Sequence, residues 1–355
     1  MSRSGIELAR ERVSMMAQAN HARYQPGQRA GHYESFFVRA NHPARPLAFW
    51  IRYTLFSPDH HPENALGELW AVLFDGASGR HVAVKREVPF SQCTFKTTEF
   101  GAQIDDARLG PGQLHGAATS GGHAITWNLA YRGADQPLFL LPLNLYTSVF
   151  PKAKSLVGLP MAVINGTLSV DGQALEIKDW VGSQNHNWGQ KHTDLYAWGQ
   201  VAGFDNSPDS FLEVATARLK VGPVWTPFMT PIVLRHRGQE LALNALWQTV
   251  RAQASFSYSA PGTAQGFDWH FRSGTQRVCL EGRISAPREA FVGLSYRNPP
   301  GGVKQCLNTK LAACELTLTH KQGGRPGAAE VLSTRHRAAF EILTDDRGHG
   351  VEMLV

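Results

Sequence analysis

The sequence predicts an all-β chain, two tandem antiparallel β-barrels with a short N-terminal helix, and three observations predict it. From Tyr33 onward the chain is a succession of apolar or alternating runs, each about one strand long. Turn signals separate these runs every ~8–15 residues, the spacing of all-β sandwiches and barrels. The phosphate-loop, dinucleotide, zincin and nucleophile-elbow motifs that accompany alternating strands and helices are absent. Two halves of about 170 residues suit two barrel-sized domains, placed at residues 24–180 and 181–355.

Taken in order, residues 5–19 read as a short helix with Ile6, Leu8, Val13 and Met16 as an uneven apolar face. HYESFFVRAN and LAFWIRYTLF are strands joined through the turn-like NHPARP. GELWAVLFD, the turn GASGR and HVAVKREVPF continue the meander. DDARLGPGQ has loop chemistry, while HAITWNLAYR and LFLLPLNLYT read as strands. MAVINGTLSVDGQALEI is a hairpin turning at Asp171-Gly172. In the second half SFLEVATARL, PIVLRHRGQELALN, DWHFRSGTQRVCLEGRISA, FVGLSYRNP, CLNTKLAACELTLTH and TRHRAAFEILT all read as strand segments.

Composition narrows the function classes. With 18% charged and 43% hydrophobic residues the chain is globular. Its net charge of +6 and pI near 9.2 come from dispersed, mostly single basic residues, so no nucleic-acid partner is expected. The four cysteines form no C-x-x-C pair and read as reduced thiols of a cytoplasmic protein; Cys306 and Cys314 could face each other across a hairpin. No secretory leader and no run of about 18 apolar residues is present, so no transmembrane segment is expected and any membrane contact is a transient surface one. His186, His192 and Asp194 match no standard metal spacing, and neither a metal nor an organic cofactor is expected.

The stretch with most chemistry is DWVGSQNHNWGQKHTDLYAWGQVAGF, residues 179–204. It gathers Trp180, Trp188 and Trp198 with His186, His192, Asn185, Asp194 and Tyr196. An aromatic wall with a few convergent polar groups suits a concave site for an apolar ligand, and a position near the domain boundary suits an interface site. A Trp-rich core strand with satisfied polar groups is the plainer alternative.

The runs GSQNHNWG, YAWGQVAGF and SFLEVATARL resemble the carotenoid 1,2-hydratase (hydroxyneurosporene synthase) superfamily, whose relatives include tocopherol-cyclase-like proteins and fungal pericyclases. HYESFFVRANHPARPLAFWIRYTLFSP, GELWAVLFDG, ISAPREAFVGLSYRNPPGG and CLNTKLAACEL extend the resemblance over roughly residues 30–345. It implies a two-domain lipocalin-like fold and cofactor-free addition of water to an isoprenoid double bond, in which an acid protonates the alkene and water captures the tertiary cation. The family's His and Trp two apart match His186 and Trp188. Its Tyr-x-Asp, with Asp the proton donor, has Phe211-Leu212-Glu213 as its nearest counterpart here.

An acid able to protonate carbon must be neutral at working pH, and burial among apolar groups keeps a carboxyl so. Glu213 qualifies if the face it shares with Phe211 and Ala215 lines a cavity. Asp194 is a second carboxyl, on a face with His192, Tyr196 and Trp198 if residues 192–198 are one strand; a turn role is the alternative. Trp188, Trp198 and Tyr196, backed by Trp225 and Trp127, would steady a carbocation through their ring faces, and Asn185 and Phe211 complete the expected substrate contacts. His186 could polarise water, hold the acid neutral or deprotonate the cation. Tyr296, Asn298, Lys304, Asn308 and Lys310 form a second polar cluster, whose lysines would either bind an anionic head group or guard a solvated edge. Three functions remain open: an acid-catalysed hydratase, cyclase or isomerase, a pericyclase-like folder of polyenes, and a carrier that leaves its apolar ligand unchanged.

Overall fold

The computed structural model describes residues 5–258, 266–323 and 325–355. Among the described residues the chain forms two large successive antiparallel sheets and a small two-stranded one. The first has twelve strands, with Arg80–Pro89, Leu66–Asp75, Leu47–Ser57, His32–Asn41, Gln173–Gly189, Ala153–Val170 and His123–Arg132 as consecutive neighbours. It curls until its ends meet: Lys85 N–H of one end strand donates to Ser120 Oγ of the far side at 2.9 Å. The result is a nearly closed barrel filled by Phe36, Phe49, Ile51, Tyr53, Trp127 and Trp180.

The second sheet has ten strands and centres on Phe211–Arg218, Leu195–Ala202, Arg325–Thr344 and Val303–Gln322. It wraps a core of its own containing Leu212, Val214, Trp269, Phe271 and Phe340, across which Trp269 Nε1–H donates to Thr216 Oγ1 at 3.0 Å. The change of sheet falls across residues 190–194. The strand before it, Gln173–Gly189, pairs with His32–Asn41 from Val181 to Gly189, so the division expected after Trp180 falls within a strand of the first sheet.

The sheets pack face to face. Phe37, Trp50 and Trp70 meet Trp198, Leu294 and Tyr296 in one interface cluster, and Leu138, Leu140 and Val157 meet Ala202, Phe211 and Val233 in another. This explains why His32–Asn41 and Leu47–Ser57 are buried at every position. One face of each fills the barrel and the other fills the interface, so these strands carry no solvated face and lose the usual alternation.

Two local expectations change. LFLLPLNLYT is not a strand: Leu138–Phe139 makes a short bridge, and beyond Pro142, which cannot donate to a ladder, Leu143–Tyr146 turns as a helix. The loop expected at DDARLGPGQ contains the strand Ala107–Gly110. The N-terminal helix spans Gly5–Ala17; Met16 packs near Ala19, Phe139 and Tyr146, Val13 is exposed, and the side chains of Ile6 and Leu8 lie outside the described residues. Cys306 and Cys314 are free thiols in different cores, because a bulge between Thr309 and Cys314 shifts the strand's register. No helix among the described residues is long and apolar enough to cross a membrane.

Candidate active site

Between the two sheets lies a cavity of about 210 Å³. The first sheet contributes Phe37, Trp50 and Asn185, and the second contributes Trp198, Glu213 and Tyr296. Strand periodicity selects these groups. In Leu195–Ala202, Tyr196, Trp198 and Gln200 point to the interface while Ala197 and Val201 enter the second core. In Phe211–Arg218, Glu213, Ala215 and Ala217 line the cavity while Leu212 and Val214 face the core.

Glu213 is 2% exposed and has no salt-bridge partner among the described residues. Its Oε1 accepts the Trp198 Nε1–H at 2.8 Å and its Oε2 accepts from Gln200 Nε2 at 2.7 Å. Burial raises its pKa to about 7, against the two donors and the nearby Arg39, which favour the charged form, and with Glu341 adding to the rise. Gln200 is itself fixed. Its Oε1 accepts from Arg39 Nε (2.7 Å) and Ser183 Oγ (2.6 Å), and its Nε2 also donates to Asn185 Oδ1 at 2.7 Å. All four hydrogen-bonding positions of this amide are used, so its N–H toward Glu213 cannot turn away. The acid is therefore preorganised and close to half-protonated at neutral pH.

A second carboxyl, Glu341, borders the cavity opposite Trp198 in the strand register. It accepts from Asn308 Nδ2 at 2.7 Å and pairs with Lys310 Nζ at 2.8 Å. Lys310 is fully buried, its ammonium 5.4 Å from the Trp198 ring centre and 5.7 Å from that of Trp50. It is thus an internal partner of Glu341, not a head-group ligand at a pocket mouth, and Lys304 is likewise held by Asp345. Asn298 accepts the His192 backbone N–H at 3.0 Å. Sequence reading missed Glu341, Gln200, Arg39 and Arg52. The available signal was charge inside apolar strands such as HYESFFVRAN and LAFWIRYTLF, where a charged side chain must be partnered or functional.

Several expected site residues lie elsewhere. His186 borders the cavity, but its ring is on the opposite strand face from Asn185 and Asn187, stacked on Phe36 at 4.1 Å. Nδ1 bonds the Ala19 carbonyl oxygen at 2.7 Å and Nε2 bonds Glu34 Oε1 at 2.8 Å. Both ring nitrogens are occupied, which ties the ring into the Glu34 cluster. Trp188 follows His186 by period two and packs with Phe139, Tyr146 and Leu156 outside the cavity. Asp194 precedes the strand, pairs with Lys191 at 2.6 Å and accepts the Lys220 N–H at 2.9 Å. Although burial opposes it, these contacts lower its pKa, so it is not a neutral acid. Trp127 is core of the first barrel, its Nε1–H on Tyr53 Oη at 3.0 Å. Phe211 packs against Leu138 and Val233 in an interface cluster. Trp225 is 38% exposed in the hairpin formed by Lys220–Val221 and Val224–Trp225, covered by Arg218. Of the expected site residues, Asn185, His186, Tyr196, Trp198 and Glu213 border the cavity.

No family model matches the chain, and no curated protein matches it in sequence. Solved structures do. A protein provisionally assigned as AttH from Nitrosomonas europaea is similar at a TM-score of 0.56 with 14% identity, over 92% of this chain and 95% of that one. Kievitone hydratase from Nectria haematococca is similar at 0.51 with 9% identity, over 90% and 91%. CghA is similar at 0.51 with 12% identity, over 91% and 93%. At such identities what the chain shares with these proteins is its fold, along nearly the whole of each chain.

Proposed function

We propose that the interface cavity performs cofactor-free acid catalysis on an apolar alkene, with Glu213 as the proton donor. The observation that carries this reading is a buried carboxyl without a counter-ion, titrating near pH 7, in an aromatic-walled cavity. Protonated Glu213 delivers its proton to an alkene carbon. The carboxylate left behind is stabilised by the Trp198 and Gln200 donors already aimed at it, so little reorganisation accompanies the charge. The cation formed on the substrate faces the rings of Trp198, Trp50 and Phe37, each worth roughly 0.5–2 kcal/mol of cation–π attraction. Capture by water returns a proton to Glu213 and completes a hydration; capture by a second double bond of the same substrate, followed by proton loss to Glu213, gives a ring. That one protein of this fold is a hydratase by name supports the first outcome.

Purified protein incubated in ¹⁸O-water with linear isoprenoids bearing a trisubstituted terminal alkene tests this by mass spectrometry. Hydration gives a labelled product heavier by one water, and cyclisation gives an isomer of equal mass. Recovery of unchanged ligand from the wild type after long incubation would favour a carrier and end the catalytic reading. The control is Glu213→Gln, since replacing His186 would disturb the Glu34 cluster instead.

A transient membrane contact would use the exposed apolar side chains beside the cavity. Phe150 and Leu246 line the cavity and are 53% and 61% exposed. Val224, Trp225, Trp247 and Val250 stand exposed on neighbouring segments, with Lys152, Lys220 and Arg251 among them. An apolar rim with basic residues suits an anionic bilayer surface from which a lipophilic substrate could enter. Vesicles containing 30% phosphatidylserine (~30 mol%, enough for a surface potential) are expected to sediment the wild type, and Phe150→Ser with Trp247→Ser to weaken this several-fold. Equal sedimentation of both proteins would remove the rim from the account.

A further inference from the structure

Acid catalysis by Glu213 leaves Arg52 without a task. Arg52 is 4% exposed and lines the cavity. Its Nη2 donates to Ser35 Oγ at 2.7 Å, its guanidinium lies 4.4 Å from the Tyr296 ring centre, and its buried Nε–H has no hydrogen-bond partner. The indole N–H of Trp50, two residues back on the same strand face and also in the cavity wall, is buried and unpartnered as well. No carboxylate among the described residues lies within salt-bridge distance of Arg52. The two glutamates whose charge reaches it are occupied: Glu68 by Lys85 at 2.8 Å and Glu341 by Lys310 at 2.8 Å. His192, beside the same rings, is kept neutral, its pKa lowered to about 3 by burial and by Arg52 itself. Lys154, 9% exposed in the cavity wall, has only the Pro151 carbonyl oxygen as hydrogen-bond partner among the described residues, at 2.8 Å.

The charges of the wall therefore do not balance. Lys310 and Glu341 cancel, Glu213, titrating near 7, supplies at most one negative charge, and Arg52 and Lys154 together outweigh it. The one hydrogen-bond acceptor of Arg52 among the described residues is the neutral Ser35 hydroxyl, which leaves the guanidinium donors to spare, and the planar fork of an Arg matches a planar carboxylate in a bidentate pair. We infer that Arg52 anchors a carboxylate on the ligand, so that the substrate is an amphipathic acid with an apolar, unsaturated skeleton and not a plain hydrocarbon. The inference rests on the cavity being the ligand site of the proposed function, but not on Glu213 performing catalysis.

Geranic acid and geraniol share one skeleton and differ in the head group, which makes them the probes. Binding is followed at pH 7.5 by tryptophan fluorescence and calorimetry. The wild type is expected to bind geranate at least about tenfold more tightly than geraniol, the scale of one buried charge-assisted pair. Arg52→Gln should bring the two within about twofold of each other while leaving geraniol binding in place. Arg52→Lys, which keeps the charge and loses the fork, should fall between. Glu213→Gln should retain the preference for geranate even where turnover is lost, which separates failure of the anchor from failure of the acid. Equal affinity of the wild type for both probes, no binding of either, or a preference that survives Arg52→Gln would overturn the inference. The comparison within the wild type decides the matter even if Arg52→Gln does not fold.

Discussion

Glu213→Gln is expected to lower turnover by about a hundredfold or more, the usual worth of a positioned general acid, and to flatten the pH dependence of stability in the same protein. The two effects have one cause. Burial lifts the Glu213 pKa from 4.5 to about 7 in the folded chain, beyond what Trp198, Gln200 and Arg39 can offset. The folded state therefore holds this proton more tightly than the unfolded state does. The stability this provides is fully present below about pH 4.5 and is lost as pH rises to about 7, in total about 3 kcal/mol. Glutamine keeps the volume, cannot titrate, and removes that slope. Urea denaturation at half-unit intervals from pH 4.5 to 8 measures it. In the wild type kcat/KM should fall about tenfold per pH unit above 7, as the acid form is depleted. A variant that keeps full turnover, or that keeps the slope, would show that Glu213 is not the group described.

How much of this the sequence carried depends on which face of a strand one asks about. The alternation in SFLEVATARL puts Phe211, Glu213 and Ala215 on one side, and the aromatic run from Tyr196 to Trp198 sits on the interface, so part of the site follows from period two. The H-x-W element misleads for the same reason. His186 and Trp188 share a face, but on it His186 stacks on Phe36 and Trp188 packs with Phe139 and Tyr146, while Asn185 and Asn187 on the other face border the cavity. A strand buried on both sides gives no polar face to orient it, so its pattern cannot say which side is barrel and which is interface. Trp127 and Trp225 failed for a different reason: aromatic content alone does not place a ring, and these two lie in a barrel core and on an exposed hairpin. Arg52 and Glu341 come from strands far apart in sequence, and only the packing of the two sheets brings them to one cavity, with Gln200 behind Glu213.

Glu34→Ala is expected to destabilise the protein by about 3–5 kcal/mol, the scale for stripping the partner from a buried charge. Glu34 is fully buried and accepts from the backbone N–H of Arg23 (2.8 Å) and Tyr24 (3.0 Å), from His32 Nε2 (3.2 Å) and from His186 Nε2 (2.8 Å). His186 Nδ1 also meets the Ala19 carbonyl oxygen at 2.7 Å, so the ring bridges the N-terminal segment and the Glu34 carboxylate. Together they fasten residues 19–24 to the barrel. Burial alone would raise the Glu34 pKa, but the hydrogen bonds and charges of His186 and His32 win and hold it at about 2. Its contribution is therefore present above about pH 4.5 and lost as pH falls toward 2, about 3 kcal/mol in all, opposite in sign to that of Glu213. Urea midpoints at pH 7 and limited proteolysis of the first 24 residues check the expectation; a loss under 1 kcal/mol (about one surface substitution) would contradict it. The same variant separates structure from chemistry at His186. If the histidine only fastens the N-terminal segment, Glu34→Ala and His186→Gln lower the folded fraction and leave turnover per folded molecule within a few-fold of wild type. If it relays protons to the substrate, His186→Gln abolishes turnover in protein that is still folded, and the catalytic assignment moves from Glu213 alone to the pair.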